Sequence, residues 1–208
     1  MIDGRYIICP LEIEARALLT LAGMDPARVI VSGPGVAVAQ GVEVAHGAGA
    51  TSVVLAGFGA GLAATPLAPP IGAVVDEEGC AFAPTIRVGG RAVRIVGVDR
   101  IVSTPAQKAS LRARSGAELA DTESHHFARA CVERGLEFGV VRAVSDGPND
   151  ELPEEAANWI DAEGRTLAAR VLLDLARRPA LIPRLRALAR ASRHAAAGLR
   201  DGVEEAIR

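Results

Sequence analysis

The stretch from Asp121 to Asp146 reads DTESHHFARACVERGLEFGVVRAVSD, and it carries two acids at places where acids are costly. Glu123 stands at the start of a helical pattern, and Asp146 stands where an apolar strand ends. A carboxylate at the end of a buried strand loses hydration energy unless it is paired or keeps its proton. The two residues are therefore read as the centre of a site that does acid–base or charge-stabilising chemistry. Taken alone, Asp146 also suits a capping carboxylate at a strand-to-loop turn. Glu14 is a third acid, early in the first helical pattern, where glutamate is ordinarily a water-exposed partner of the helix dipole. His125 and His126 follow Glu123, but adjacent helical residues point about 100° apart. They are therefore expected to be structural, and no metal site is read from them. His46 and His194 are isolated and receive no role.

The surrounding elements follow from periodicity. Residues 6–9 form a short apolar run that passes through Pro10 into the helical spacing of Leu11, Ala15, Leu18 and Leu19. A second run at 29–31 ends in Ser32-Gly33-Pro34-Gly35 before an Ala/Val-rich helix over about 36–46. A third, at 52–56, ends in Gly57-Phe58-Gly59-Ala60-Gly61-Leu62. Two consecutive glycine-rich strand exits indicate a cleft along the carboxyl edge of a sheet. Neither has the spacing of a dinucleotide fingerprint. Residues 71–76, 85–88 and 93–98 read as short strands with hairpin-like spacing, an antiparallel or mixed extension of the sheet. Pro105 opens a helix to about residue 114. Phe127, Ala130 and Cys131 share one face of the next helix, and 138–144 is an apolar, central strand that Gly147, Pro148 and Asn149 terminate. A helix over about 165–177 ends before Pro179. This order of elements gives an α/β fold, a three-layer α/β/α arrangement around a mixed, partly closed central sheet.

The chain has 208 residues, 50% of them hydrophobic but only 3% aromatic, so its core is built from Ala, Val, Leu and Ile. One domain over 1–208 is expected, with a helical tail from about residue 180. A net charge of -2 gives no electrostatic case for nucleic acid. Cys9, Cys80 and Cys131 are odd in number and form no CxxC pair, which argues against a disulfide framework or zinc ribbon. Residues 1–19 lack a basic region followed by a long apolar core, and no apolar run reaches the roughly 20 residues of a membrane span. A cytoplasmic protein is expected. The tail carries Arg184, Arg186, Arg190, Arg193 and Arg200 beside Leu185, Leu188 and Leu199. It reads first as the solvated face of a packed helix and second as a surface for anionic lipid or RNA.

These pieces resemble the nucleoside phosphorylase and nucleosidase superfamily. The resemblance rests on Glu14 after PLEIEA, on GFGAGL after the third strand, and above all on the spacing between the Glu123 helix start and RAVSD. It is closest to the hopanoid-associated phosphorylase-like proteins, through the DELP loop after RAVSD and the ARRPALIPRLRALAR tail. The resemblance implies cleavage of the N-glycosidic bond of a purine nucleoside, adenine being the expected base. A protonated Asp146 would donate to N7, with Ser145 orienting its carboxyl. Glu123 would hold the ribose hydroxyls and stabilise the oxocarbenium-like sugar, and Glu14 would be the general base on water. Phe58, Gly59 and Ala60 would line the nucleoside pocket. Thr122 stands where the family has Met, and Phe58 where many relatives carry a small or hydroxylated residue. The family's phosphate-clamping arginine has no clear counterpart, Arg16 being the nearest in sequence. Hydrolysis is accordingly expected over phosphorolysis, with no cofactor and with phosphate a co-substrate only in the phosphorolytic case. The segment 103–108 is expected to meet the base. The resemblance further implies a large apolar 5′ group as in adenosylhopane, a homo-oligomer, and peripheral membrane contact through the tail. The alternatives are a methylthioadenosine/adenosylhomocysteine-type nucleosidase, a purine nucleoside phosphorylase, and a nucleoside-binding scaffold with little turnover.

Overall fold

The computed structural model describes residues 4–208. Its centre is a mixed sheet of eight strands, with helices on both faces. Strand β1 (Arg5–Cys9) lies between β2 (Val29–Val31) and the long β3 (Ser52–Gly61), all parallel. The equally long β8 (Glu137–Asp146) runs parallel along the other side of β3. Both long strands are buried over most of their length, which is why their sequences are apolar runs rather than alternations. Near its end β3 pairs antiparallel with β7 (Leu119–Asp121), and β6 (Val93–Gly97), β4 (Ile71–Val75) and β5 (Ala81–Phe82) continue from there. β3 thus changes neighbours partway along, and this gives the sheet its partly closed form.

Helices α2 (Val38–Gly47) and α4 (Ser124–Glu133) cover one face, where Val42, Ala45, Phe127 and Cys131 meet Ile8, Val53 and Leu55. Helices α1 (Glu12–Leu18) and α6 (Leu181–Ala206) cover the other, where Ala15, Leu18, Leu199 and Val203 meet Val54, Val141 and Ala143. Helix α3 (Pro105–Ser115) closes the end of the sheet over Val96, Val98 and Ala120, and α5 (Ala168–Arg177) precedes α6. The α/β class and its layering are as the sequence indicates.

Two local expectations are corrected and a third is borne out. The GFGAGL run is not a strand exit, because β3 continues through Gly61. Gly57 lies within the strand because a Cβ there would sit 2.1 Å from Arg142 Nη1 and 2.7 Å from Glu14 Oε1. The middle of the chain is the mixed extension of the sheet, with β4 antiparallel to β5 and parallel to β6, but residues 85–88 form no strand of it. Thr85 and Ile86 instead donate their backbone N–H groups to Phe138 O at 2.9 and 3.0 Å. Helix α6 is the packed helix that the sequence reads first, since Ala195, Leu199, Val203 and Ala206 are buried in the core.

Candidate active site

Because β1, β3 and β8 run parallel, the start of α1 and the carboxyl ends of β3 and β8 come to the same edge of the sheet. Glu14 is at the third position of α1, and only 2% of it is exposed. Its Oε2 accepts the N–H of Leu11 at 2.8 Å, which satisfies a donor at the helix start. Its Oε1 accepts the N–H of Phe58 at 2.7 Å and so ties the helix to β3. It is therefore the backbone of Phe58 that orients Glu14. Burial pushes the Glu14 carboxyl from 4.5 up to about 8, against the lowering pull of the Arg142 guanidinium and of these two N–H groups.

Arg142 is the charge around which the acids are arranged. It is fully buried in β8 beneath Gly57. Its Nε donates to Asp121 Oδ2 at 2.6 Å and its Nη2 to Glu123 Oε2 at 2.9 Å. Burial opposes its charge, but Asp121, Glu123 and Glu14 outweigh burial and hold the guanidinium above its ordinary pKa. Asp121 in turn uses Oδ1 to accept the N–H and hydroxyl of Ser124 at 3.1 and 2.7 Å, fixing the start of α4. Glu123 Oε1 accepts the Gly35 N–H at 3.0 Å and the Thr122 hydroxyl. The glycine turn after β2 thus supplies a donor to Glu123, and Thr122 helps to orient the acid rather than serving only as a wall. With three donors on its two oxygens, Glu123 is held in one orientation.

Asp146 ends β8 and is buried. The Ser145 hydroxyl donates to its Oδ1 at 2.7 Å, the orienting contact expected of that serine. On the other oxygen stands a group that the sequence reading left without a role. Lys108, wholly buried in α3, donates to Asp146 Oδ2 at 2.5 Å and to the carbonyls of Gly147 and Asp150 at 2.7 and 2.9 Å. Three acceptors match the three protons of an ammonium. Thr104 and Gln107 form a capping box and Pro105 occupies the first turn, so the start of α3, and with it Lys108, is fixed by local sequence.

These acids face one cavity of about 780 Å³. Glu14, Phe58, Gly59 and Ala60 line it together with Thr122, Glu123, Ser145 and Asp146, so all eight residues singled out in the sequence meet there. Its remaining wall is largely apolar, with Arg16, Arg100, Ser192 and Arg193 among its polar members. Val98, Ile101 and Val102 come from the connection after β6, Leu152, Trp159 and Ile160 from the segment after β8, and Val171, Leu185 and Leu188 from α5 and α6. Of the 103–108 segment expected at the base, no residue reaches the cavity surface, and its contribution is Lys108 behind Asp146. Arg16 lines the cavity but pairs with Glu12 at 2.9 Å.

Sequence reasoning missed Arg142, Asp121 and Lys108 as members of the site. The signal for Arg142 was present: a lone cation inside the apolar run FGVVRAV must be paired. Lys108 is three residues from the buried Leu111, on the same face of α3. His125 and His126 also depart from expectation, since both Nε2 atoms converge on Asp99 Oδ1, at 3.2 and 3.0 Å.

The family model for the phosphorylase superfamily matches residues 73–177. Comparison with curated proteins gives no significant match. Among solved structures, a mutant Helicobacter pylori 5′-methylthioadenosine/S-adenosyl homocysteine nucleosidase with 5′-methylthioadenosine in its active site superposes with a TM-score of 0.68 at 14% identity, covering 99% of this chain and 100% of its own. Futalosine hydrolase of the same organism gives a TM-score of 0.65 at 15% identity, with 97% of each chain covered. A putative nucleosidase of the methylthioadenosine type from Francisella philomiragia gives 0.61 at 15% identity, covering 84% of this chain and 98% of its own.

Proposed function

Starting from the fact that the chain belongs to the phosphorylase superfamily, and is thus a glycosidic-bond hydrolase or phosphorylase, we propose that its cavity hydrolyses the N-glycosidic bond of an adenine nucleoside. The observation that carries this reading is the convergence of Glu14, Glu123 and Asp146 on a single largely apolar cavity. Each acid sits in a different electrostatic setting, which is how one site divides acid and base roles. The Lys108–Asp146 pair delivers a proton to N7 as the bond to C1′ breaks, the Asp146 carboxyl relaying a proton that the Lys108 ammonium gives up, so the base leaves neutral and Lys108 is left as the amine. Glu123 accepts the ribose hydroxyls and faces the positive charge that grows on the sugar. Glu14 takes a proton from water as the hydroxyl adds to C1′, and once the products leave, Glu14 releases that proton to solvent while the Lys108–Asp146 pair takes one up, which restores both groups.

Two finer features belong to the same proposal. Water rather than phosphate is the nucleophile, a reading supported by Glu14, a carboxyl placed in the cavity wall to take a proton from water, and by Arg142, which holds Asp121 and Glu123 and does not line the cavity. The 5′ substituent is large and apolar, of the adenosylhopane kind, because the cavity lies in the upper part of the roughly 300–1,000 Å³ range of ligand pockets and its outer wall is built of aliphatic side chains and Trp159. Purified protein would be incubated with adenosine, 5′-methylthioadenosine and a 5′-long-alkyl adenosine, with and without phosphate, and released adenine followed by chromatography. Phosphate-independent release, fastest with the alkyl substrate, is expected. Release that requires phosphate overturns the choice of nucleophile, and no release from any of the three overturns hydrolysis in favour of a binding scaffold.

A further inference from the structure

Asp99, His125 and His126 lie outside the nucleoside cavity, and nothing in the proposed reaction uses them. We propose that they form a site for one divalent ion of the nitrogen-binding class, Zn²⁺ or Co²⁺, which pins the connection after β6 to the start of α4. Neighbouring helical positions diverge by about 100°, yet these two rings lie with centroids 3.8 Å apart and are tilted by 38°. Their Nε2 atoms stand 3.2 and 3.0 Å from Asp99 Oδ1, and all three donor atoms fall within 4.8 Å of one another. A tetrahedral zinc ion with ligand distances of about 2.0–2.1 Å separates its donors by about 3.3 Å. The spacing to the carboxylate oxygen therefore already matches that of a metal's donor set.

The rings are also held in place before any ion arrives. His125 is 6% exposed and is wedged against Gly97, where a Cβ would lie 2.1 Å from its Nδ1, so only glycine admits the ring at that point of β6. Asp99 is open to solvent, with 74% of its side chain exposed, which gives an ion a path in and leaves room for water to complete the coordination. Two imidazoles and one carboxylate form a donor set suited to zinc or cobalt, whereas calcium and magnesium take oxygen ligands. The consequence is mechanical. Asp99 precedes Arg100, Ile101 and Val102, which line the cavity, while His125 and His126 follow Glu123 on α4. An ion shared between them joins the cavity wall to the helix that carries the ribose-binding acid.

The test uses the untagged full chain, titrated with Co²⁺ while visible absorption is followed. Saturation at one equivalent with the intense bands of low-coordinate cobalt is expected, with displacement by Zn²⁺ and a rise in melting temperature on adding Zn²⁺. Loss of an outer hydrogen-bond partner alone costs roughly 10–100-fold in metal affinity, so Asp99→Ala and His126→Ala are each expected to weaken binding by at least about tenfold and to abolish the thermal shift. His46→Ala and Cys80→Ser serve as controls and should leave both unchanged. Asp99 is exposed and His126 half-buried, so metal-free melting of their variants should match the parent and exclude misfolding. Weak six-coordinate bands only, or affinity unchanged in both site variants, overturns the proposal.

Discussion

Replacing Glu14 by glutamine sets activity and stability against each other, and their pH dependence separates the two. The carboxyl rises from 4.5 to about 8 in the folded protein. At about 1.36 kcal/mol per tenfold change in proton affinity, that rise disfavours the charged form by about 5 kcal/mol. An acid raised in this way binds its proton more tightly when folded, so its contribution is complete below about pH 4.5 and is lost as pH climbs to about 8. Glutamine has no such charge, but its amide has one acceptor oxygen where the carboxyl has two. Either Leu11 N–H or Phe58 N–H then loses its partner, at a cost of about 1–3 kcal/mol. Glu14→Gln should therefore melt below the parent at pH 5 and above it at pH 9, because about 5 kcal/mol exceeds the lost hydrogen bond. For a chain of this size about 1 kcal/mol shifts Tm by roughly 2–4 °C, so melts followed by circular dichroism at pH 5, 7 and 9 resolve the crossing. Above about pH 8 the same variant should lose about 10²–10⁴-fold in kcat, and the gap should narrow toward pH 5 because the parent's rate falls as pH drops below about 8. A Tm difference that is constant from pH 5 to 9 would refute the buried, proton-holding Glu14.

Three further outcomes follow from the same geometry. Lys108→Met leaves Asp146 buried without its cation and should cost about 3–5 kcal/mol in chemical denaturation, much of which Lys108→Met combined with Asp146→Leu should restore; equal losses in the single and double variants would show that the pair is not coupled. Gly57→Ala places a methyl group 2.1 Å from Arg142 Nη1 and should destabilise by about 1–3 kcal/mol or more, and an unchanged denaturation midpoint would contradict the packing described. Reversing Arg184, Arg186 and Arg190 to glutamate should reduce flotation with anionic vesicles if the α6 surface rests on lipid; equal flotation of parent and variant removes the membrane contact expected of the tail.

Much of the fold was legible because β3 and β8 are long apolar runs and the helices carry clear periodicity. The middle was not: residues 71–98 contain short runs whose spacing looks the same for hairpins and for parallel strands, and only the pairing of β4 with β6 decides between them. The three acids were legible as an ordered set because each stands at an element boundary. Their partners were hidden, since the contacts of Arg142 to Asp121 and of Lys108 to Asp146 span 21 and 38 residues and no local pattern encodes them. The glycines of GFGAGL were misread for a related reason. Glycine at a turn and glycine beneath a crossing arginine are indistinguishable in sequence, and here Arg142 makes the difference.

The guanidinium of Arg142 also bears on how the site can change over generations. Asp121, Glu123, Gly57 and Glu14 all depend on it, so a substitution at any of them is felt at the others and the group tolerates change only as a block. The cavity wall supplied by Val171, Leu185 and Leu188 has no such ties. Libraries that vary those three positions should retune which 5′ group is accepted while leaving the bond-breaking chemistry intact, so that new substrates are reached through the helices and not through the acids.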